Sequence, residues 1–202
     1  SSMCYGCDSL SDISFGKYIE TIPDSSFRLC QSLTSVTLPR FCTTVAANAF
    51  AEDTKLMDIY APVTVSKIEN NSFSYPAKMT MHGKSGTYAQ EYAGARNMNF
   101  SAETKPITSI AYEDQNISIS RYAKVRPMLN IAPEFDTSVV TFSSSDESVL
   151  TVSSTGEVYG KNYGTARITA TTDSGRSDSI DITVLKTVTS IGPVSYTHLT
   201  LP

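Results

Sequence analysis

One periodicity constrains this chain more than any other feature. Laid on itself with an offset of 23 residues, its first third aligns column by column. Leu10, Leu33 and Leu56 coincide, followed by Ile13, Val36 and Ile59. Ile22, Val45 and Ile68 share the next column, and Phe27, Phe50 and Phe73 share another. Gly16, Pro39 and Pro62 mark one turn in each copy. Apolar residues held at one phase of such a period mean a solenoid, because a single coil can bury its apolar columns only against the next coil. Three full coils run from about Cys7 to Tyr75, which meets the minimum of roughly three for a stable stack.

Within one coil, Val36 and Leu38 alternate with Ser35 and Thr37, the pattern of a strand with one buried face. The outward positions Asp12 and Ser14, Ser35 and Thr37, Asp58 and Tyr60 then make a flat polar ladder. Such faces serve solenoids as binding surfaces, so these six residues are the candidate binding face; the plainer alternative is the solvated side of a sheet. Downstream, Met79-Thr80-Met81 reads as one more strand. Thr87 and Gln90 then offer a capping box, with Thr87 as N-cap and Gln90 reaching back. Tyr88 and Tyr92 lie one helical turn apart beside Ala89 and Ala93, which predicts a small amphipathic helix covering the last coil. Asn97 is its stop, and Met98 and Phe100 pin the chain back. Upstream, Cys4 falls in the Phe column and Cys7 in the column of Cys30, so the array is expected to extend further toward the N-terminus.

Several of these segments are specific. Asp8-Ser9-Leu10, Gln31-Ser32-Leu33-Thr34-Ser35-Val36-Thr37-Leu38-Pro39 and the closing run from Gly83 to Ala93 resemble the BspA-type leucine-rich repeat of bacterial surface proteins. The resemblance implies surface location and adhesion or protein binding, with no catalysis.

After Ala102-Glu103-Thr104-Lys105-Pro106 the pattern changes to period two. Val125, Pro127, Leu129 and Ile131 alternate with polar or longer residues, as do Val140 and Phe142, then Ala166, Ile168 and Ala170, then Ile180, Ile182 and Val184. Ser153-Ser154-Thr155-Gly156 separates two short runs as a hairpin turn. Many short strands with frequent turns predict an immunoglobulin-like sandwich. The stretch from Phe142 to Val152, then Gly156-Glu157-Val158 and Gly164 to Ala170, resembles the group 2 bacterial immunoglobulin-like domain. That family usually carries Trp where Phe142 stands, and Phe142 is expected to fill the same core slot. It also often carries Gly where this chain has Tyr122-Ala123. The resemblance implies stalk or adhesion modules in tandem. Accordingly Ile107-Thr108-Ser109-Ile110 recurs as Val188-Thr189-Ser190-Ile191, the opening of a second copy. Residues 193–202 break the strand pattern and are expected to be non-native and unpacked.

The expected fold is therefore mainly β: a leucine-rich-repeat solenoid with a small helical C-terminal cap over residues 1–101, a linker over 102–106, an immunoglobulin-like β-sandwich over 107–186, and a truncated further repeat with its tail over 187–202.

Signals for chemistry are thin. Sixteen Lys and Arg against 20 Asp and Glu leave a net charge of −4, which argues against nucleic acid as a partner. No stretch approaches the ~18 consecutive apolar residues of a membrane span, so no membrane insertion is expected. Cys4-x-x-Cys7 with Cys30 and Cys42 has the residue types of a zinc site. Yet each Cys falls in a repeat column, and small buried hydrophobes are the expected role. Cys7 and Cys30 should be neighbours across coils, at about the ~4.8 Å strand spacing. Gly83-Lys84-Ser85 lacks the earlier Gly of a phosphate loop, since Lys78 stands there. His82 beside Ser85 or near Cys30 suggests a nucleophile and base, but no third orienting group is evident. Asp146, Glu147 and Asp173 match no calcium-loop spacing. No catalytic residue, metal site or cofactor is assigned. The expected function is non-catalytic: an extracellular or wall-attached bacterial segment whose repeats meet a host or bacterial surface protein or glycan, with the sandwich as spacer. The alternative is the accessory region of a larger secreted cell-wall or polysaccharide hydrolase. Carbohydrate binding by the sandwich, through Tyr112, Tyr122 and Tyr159 in the absence of Trp, is a third reading.

Overall fold

The computed structural model describes residues 4–186. The repeat opening at Val188 and the tail over 193–202 lie outside the described residues. The chain is mainly β, 36% strand against 6% helix.

The first half lays out β1 (Thr21–Ile22), β2 (Ser35–Thr37), β3 (Thr44–Val45), β4 (Asp58–Tyr60), β5 (Lys67–Ile68), β6 (Thr80–Gly83), α1 (Tyr88–Ala95) and β7 (Asn99–Ala102). The 23-residue offset becomes register. Thr21 faces Thr44 and Thr44 faces Lys67 in one parallel ladder, β1-β3-β5. Ser35 faces Asp58 in a second parallel ladder, β2-β4-β6-β7, where Asp58 then faces Thr80 and Thr80 faces Asn99. Side chains at equivalent positions therefore pile on one another. Phe27 stacks on Phe50 at 5.4 Å and Phe50 on Phe73 at 5.5 Å, their rings tilted by only 10° and 4°. Phe15 meets Phe27 edge-on at 5.5 Å. Leu33, Leu56, Val36, Ile59, Ile22, Val45 and Ile68 are all buried with it in one core.

The strand read at Met79–Met81 begins one residue later and continues to Gly83. Helix α1 packs on β6 and β7 through Ala89, Tyr92 and Ala93. Its N-terminus corrects the expected capping box. Thr87 is the N-cap residue but makes no side-chain cap bond; its hydroxyl donates instead to the Lys84 carbonyl. Gln90 does reach back, accepting the Gly86 N–H at 2.8 Å. After the helix, Met98 is buried and Phe100 lies in β7, so the chain is pinned by a further parallel strand.

The second half contains β8 (Ser109–Tyr112), β9 (Asn116–Ser120), β10 (Lys124–Val125), β11 (Leu129–Ala132), β12 (Val140–Ser144), β13 (Leu150–Val152), β14 (Val158–Gly160), β15 (Gly164–Thr172) and β16 (Ser177–Leu185). One sheet runs β12-β15-β16-β9; β10-β14-β13 and β11-β8 oppose it. The turn at Ser153–Gly156 joins β13 to β14 as an antiparallel hairpin. Ala166, Ile168, Ala170, Ile180, Ile182 and Val184 point inward in alternation and are buried. The alternating run from Val125 to Ile131 is not one strand. It breaks at Pro127, which has no N–H for a ladder, and its two parts pair with different neighbours, β14 and β8.

Phe142 departs from its expected role. Its ring is only half-buried against the sandwich core, and its other side meets Phe41 of the repeats, centroids 6.2 Å apart. The slot is shared between core and junction. Gly156, at φ +81°, lies directly beneath that ring.

Candidate functional site

The polar ladder read from the sequence rests on β2 and β4. Ser35 and Thr37 face Asp58 and Tyr60, and the same columns continue through Thr80 and His82 of β6 to Asn99 and Ser101 of β7. Four of the six expected residues, Ser35, Thr37, Asp58 and Tyr60, thus stand in register. Asp12 and Ser14 are exposed but belong to no strand. Among the described residues, no main-chain bond joins the segment around them to β2. The flanking residues explain it: Lys17, Tyr18 and Glu20 are bonded to the sandwich, which holds this stretch off the ladder.

At the other end of the face a network forms that the period alone does not announce. His82 Nε2 lies 2.9 Å from Asp58 Oδ1, and its Nδ1 lies 3.1 Å from Glu103 Oε1. Its ring stacks on Tyr60 at 4.4 Å. The His82 hydrogen bond, more than any other contact, holds the Glu103 carboxyl below its ordinary range. Sequence reasoning offered His82 a hydroxyl or thiol nucleophile; the structure gives it two orienting carboxylates instead. Both ring nitrogens are engaged, so the arrangement fixes a ring orientation and joins coils to linker. The usable signal was Tyr60 and His82 falling 22 residues apart on the outward column. Tyr60 is in turn met edge-on by Phe135 of the sandwich at 5.1 Å, with the Lys105 ammonium over both rings.

That contact is part of a wider junction. Tyr18 stacks on Phe41 at 5.5 Å, donates its hydroxyl to the Pro127 carbonyl and accepts the Leu129 N–H. Arg126 pairs with Glu20, and Lys84 with Asp173. Arg40 pairs with Asp136, side chains 13% and 3% exposed. Burial pulls the Arg40 pKa down and pushes the Asp136 carboxyl up, each effect opposed by the partner's charge.

The remaining motifs disperse. All four cysteines are free thiols, Cys30 and Cys42 fully buried. Desolvation pushes both thiols up to about 11, which keeps them protonated and unreactive at neutral pH. The Cys30 thiol rests on the Cys4 carbonyl at 3.3 Å. Lys84 turns to Asp173 rather than into a phosphate loop, and Asp146 is occupied by Ser148. Among the described residues no cluster of His, Cys, Asp and Glu is arranged to hold a metal ion. Tyr112 is buried in the sandwich core and offers no face to a sugar, whereas Tyr122 is exposed and stacks on Tyr159 at 6.5 Å.

Stacked parallel coils with inward Leu and Phe columns, followed by a small, mostly antiparallel β domain, define a protein built of repeats and one sandwich module. The BspA type leucine rich repeat region matches residues 1–123 in six copies, and the chain belongs to that family. The bacterial Ig-like domain of group 2 matches residues 123–184. The repeat match is longer than the coils read from the sequence and meets the second at residue 123, although β8 and β9 pair with β11 and β16. Among curated proteins, lacto-N-biosidase of Bifidobacterium bifidum is 35% identical over 86 residues, 43% of this chain. The chain spans 8% of that enzyme's length. Among solved structures, a leucine rich cell surface protein from Faecalibacterium prausnitzii A2-165 is 34% identical, with a TM-score of 0.40 over 44% of this chain and 24% of that one. An intimin mutant of EHEC O157:H7 is 19% identical, with a TM-score of 0.29 over 33% of this chain and 34% of that one.

Proposed function

We propose that this chain is a non-catalytic recognition segment of an exported bacterial surface protein. Residues 1–101 form a leucine-rich-repeat solenoid closed by the α1 cap, residues 102–106 link it to an immunoglobulin-like sandwich over 107–186, and the sandwich spaces the repeats from the cell. The partner is a host or bacterial surface protein or glycan, met by the outward repeat face. The observation that carries this reading is the register Ser35–Asp58–Thr80–Asn99, a polar column on a rigid parallel sheet whose other side is packed core. Repeat and Ig-like domains of these types are non-catalytic and typical of surface proteins, which supports the same reading. The test is adhesion of beads coated with the protein to bacterial and epithelial cells and to a glycan array. Ser35→Arg with Asp58→Arg should abolish adhesion, while Lys124→Glu on the sandwich should leave it unchanged. Adhesion indifferent to the face substitutions overturns the proposal.

A second reading is favoured by the match to lacto-N-biosidase: the accessory, non-catalytic region of a larger secreted glycan-degrading enzyme. The full open reading frame separates the two. A catalytic domain on the same chain supports the accessory reading, and further repeats with a wall-sorting signal support the adhesin.

A further inference from the structure

Between the first coil and β2 the stack opens into a cleft of about 300 Å³. Its walls are Phe15 of the first coil, Leu38 and Phe41 after β2, and Leu129 and Ile131 of the sandwich; Lys17 and Glu134 stand at its rim. Two strand edges meet at the cleft: Thr37, the last residue of β2, and Leu129 and Ile131 of β11 line it, and Ser35 lies just beyond along the same edge. In the β2-β4 ladder the Asp58 and Leu38 N–H groups donate to the Thr34 and Tyr60 carbonyls. By the alternation of a parallel ladder, the N–H and C=O groups of Ser35 and Thr37 then point the opposite way, toward the first coil. Among the described residues no main-chain bond from residues 12–15 meets them, whereas β4 has β6 on its far side. On β11, Met128 and Ala132 accept main-chain bonds from Glu113 and Thr108 on the β8 side. Leu129 and Ile131 therefore face outward, and the Leu129 N–H confirms that direction by donating to the Tyr18 hydroxyl of the first coil.

We propose that this cleft is a peptide-binding site that takes a short, extended, apolar polypeptide segment of a partner by strand addition to β2. The recognition chemistry is main-chain: unpaired N–H and C=O groups at strand spacing are a template for another backbone. The five apolar walls take one side chain of that segment. Lys17 and Glu134 offset each other at the rim and Arg40 is paired with Asp136, so the mouth carries no net charge that would select a charged segment. A glycan ring would not match a row of donors and acceptors at strand spacing. Ser14 and Thr37 line the site but Asp58 does not, so Asp58→Arg leaves it intact.

The test uses the whole chain, labelled for amide exchange and NMR, with a blocked peptide acetyl-Thr-Val-Thr-Val-Thr-amide as the probe. In the free protein, Ser35 and Thr37 amides are expected to exchange at least ~100-fold faster than those of Val36 and Leu38. Peptide at about 5 mM is expected to shift the Ser35, Thr37 and Ile131 amides and slow their exchange by about tenfold or more, a weak affinity fitting so short a ligand. Ser14→Trp, which fills the cleft from the exposed first coil, should abolish those shifts without changing the far-UV circular dichroism spectrum. Should that variant unfold, Lys17→Glu should weaken an otherwise identical peptide ending in Glu while leaving the neutral one unchanged. Equal protection of Ser35 and Val36 in the free protein overturns the proposal, as does no response to the peptide. A response of these amides to N-acetylglucosamine oligomers alone overturns it in favour of a glycan.

Discussion

Asp53 stands in the column of Cys7 and Cys30, one coil further on, and is 0% exposed. Its Oδ1 accepts the Cys30 N–H at 2.7 Å, while its Oδ2 has no hydrogen-bond partner. Desolvation outweighs the single lowering bond and pushes the carboxyl from its ordinary 3.8 to about 7. The folded chain therefore keeps a proton that the unfolded chain releases, and stability is highest below the unfolded value and falls as pH rises through the folded one. Each unit between the two values is worth about 1.4 kcal/mol, so roughly 4 kcal/mol present near pH 4 is gone by pH 8. Asp53→Asn keeps an acceptor for Cys30 and cannot ionise, but it leaves an amide N–H pair unpartnered at a cost of about 1–3 kcal/mol. The variant should thus be less stable than the parent at acid pH and more stable, by about 1–3 kcal/mol, at pH 8. The measurement is urea unfolding across that range, followed by far-UV circular dichroism because the chain has no Trp. Stability curves that run parallel for parent and variant would show that Asp53 folds ionised, and the burial argument would be wrong.

Two further perturbations probe the junction. Arg40→Ala leaves Asp136 buried without its counter-ion and should cost about 3–5 kcal/mol in a thermal melt, whereas Arg40→Met combined with Asp136→Leu should fall within about 1 kcal/mol of the parent; a single substitution as mild as the double one refutes the pairing. Gly156→Ala meets both a left-handed backbone at φ +81° and the Phe142 ring, whose Cζ would lie 3.0 Å from the new Cβ. It should lower stability by about 1–3 kcal/mol in urea titration, and neutrality would mean the ring moves freely aside.

The sequence alone determined the repeating core columns. A core column is a relation between residues 23 apart, and burial against the next coil follows from that spacing without knowledge of the rest of the molecule. Phe27, Phe50 and Phe73 accordingly stack, and the two parallel ladders carry the offset. The period-two strands and the turn at Ser153–Gly156 were legible for the same reason, because alternation and turn chemistry are local. Only the tertiary structure decided which outward residues stay free. Tyr60 was read as an open face and meets Phe135; Asp12 and Ser14 were read as rungs and lie off the ladder. Lys17 joins Asn130, and Arg126 joins Glu20, across 113 and 106 residues. Contacts at such separations depend on how one unit docks on another, and that docking is set by shape and charge pairing, which leave no period in the chain.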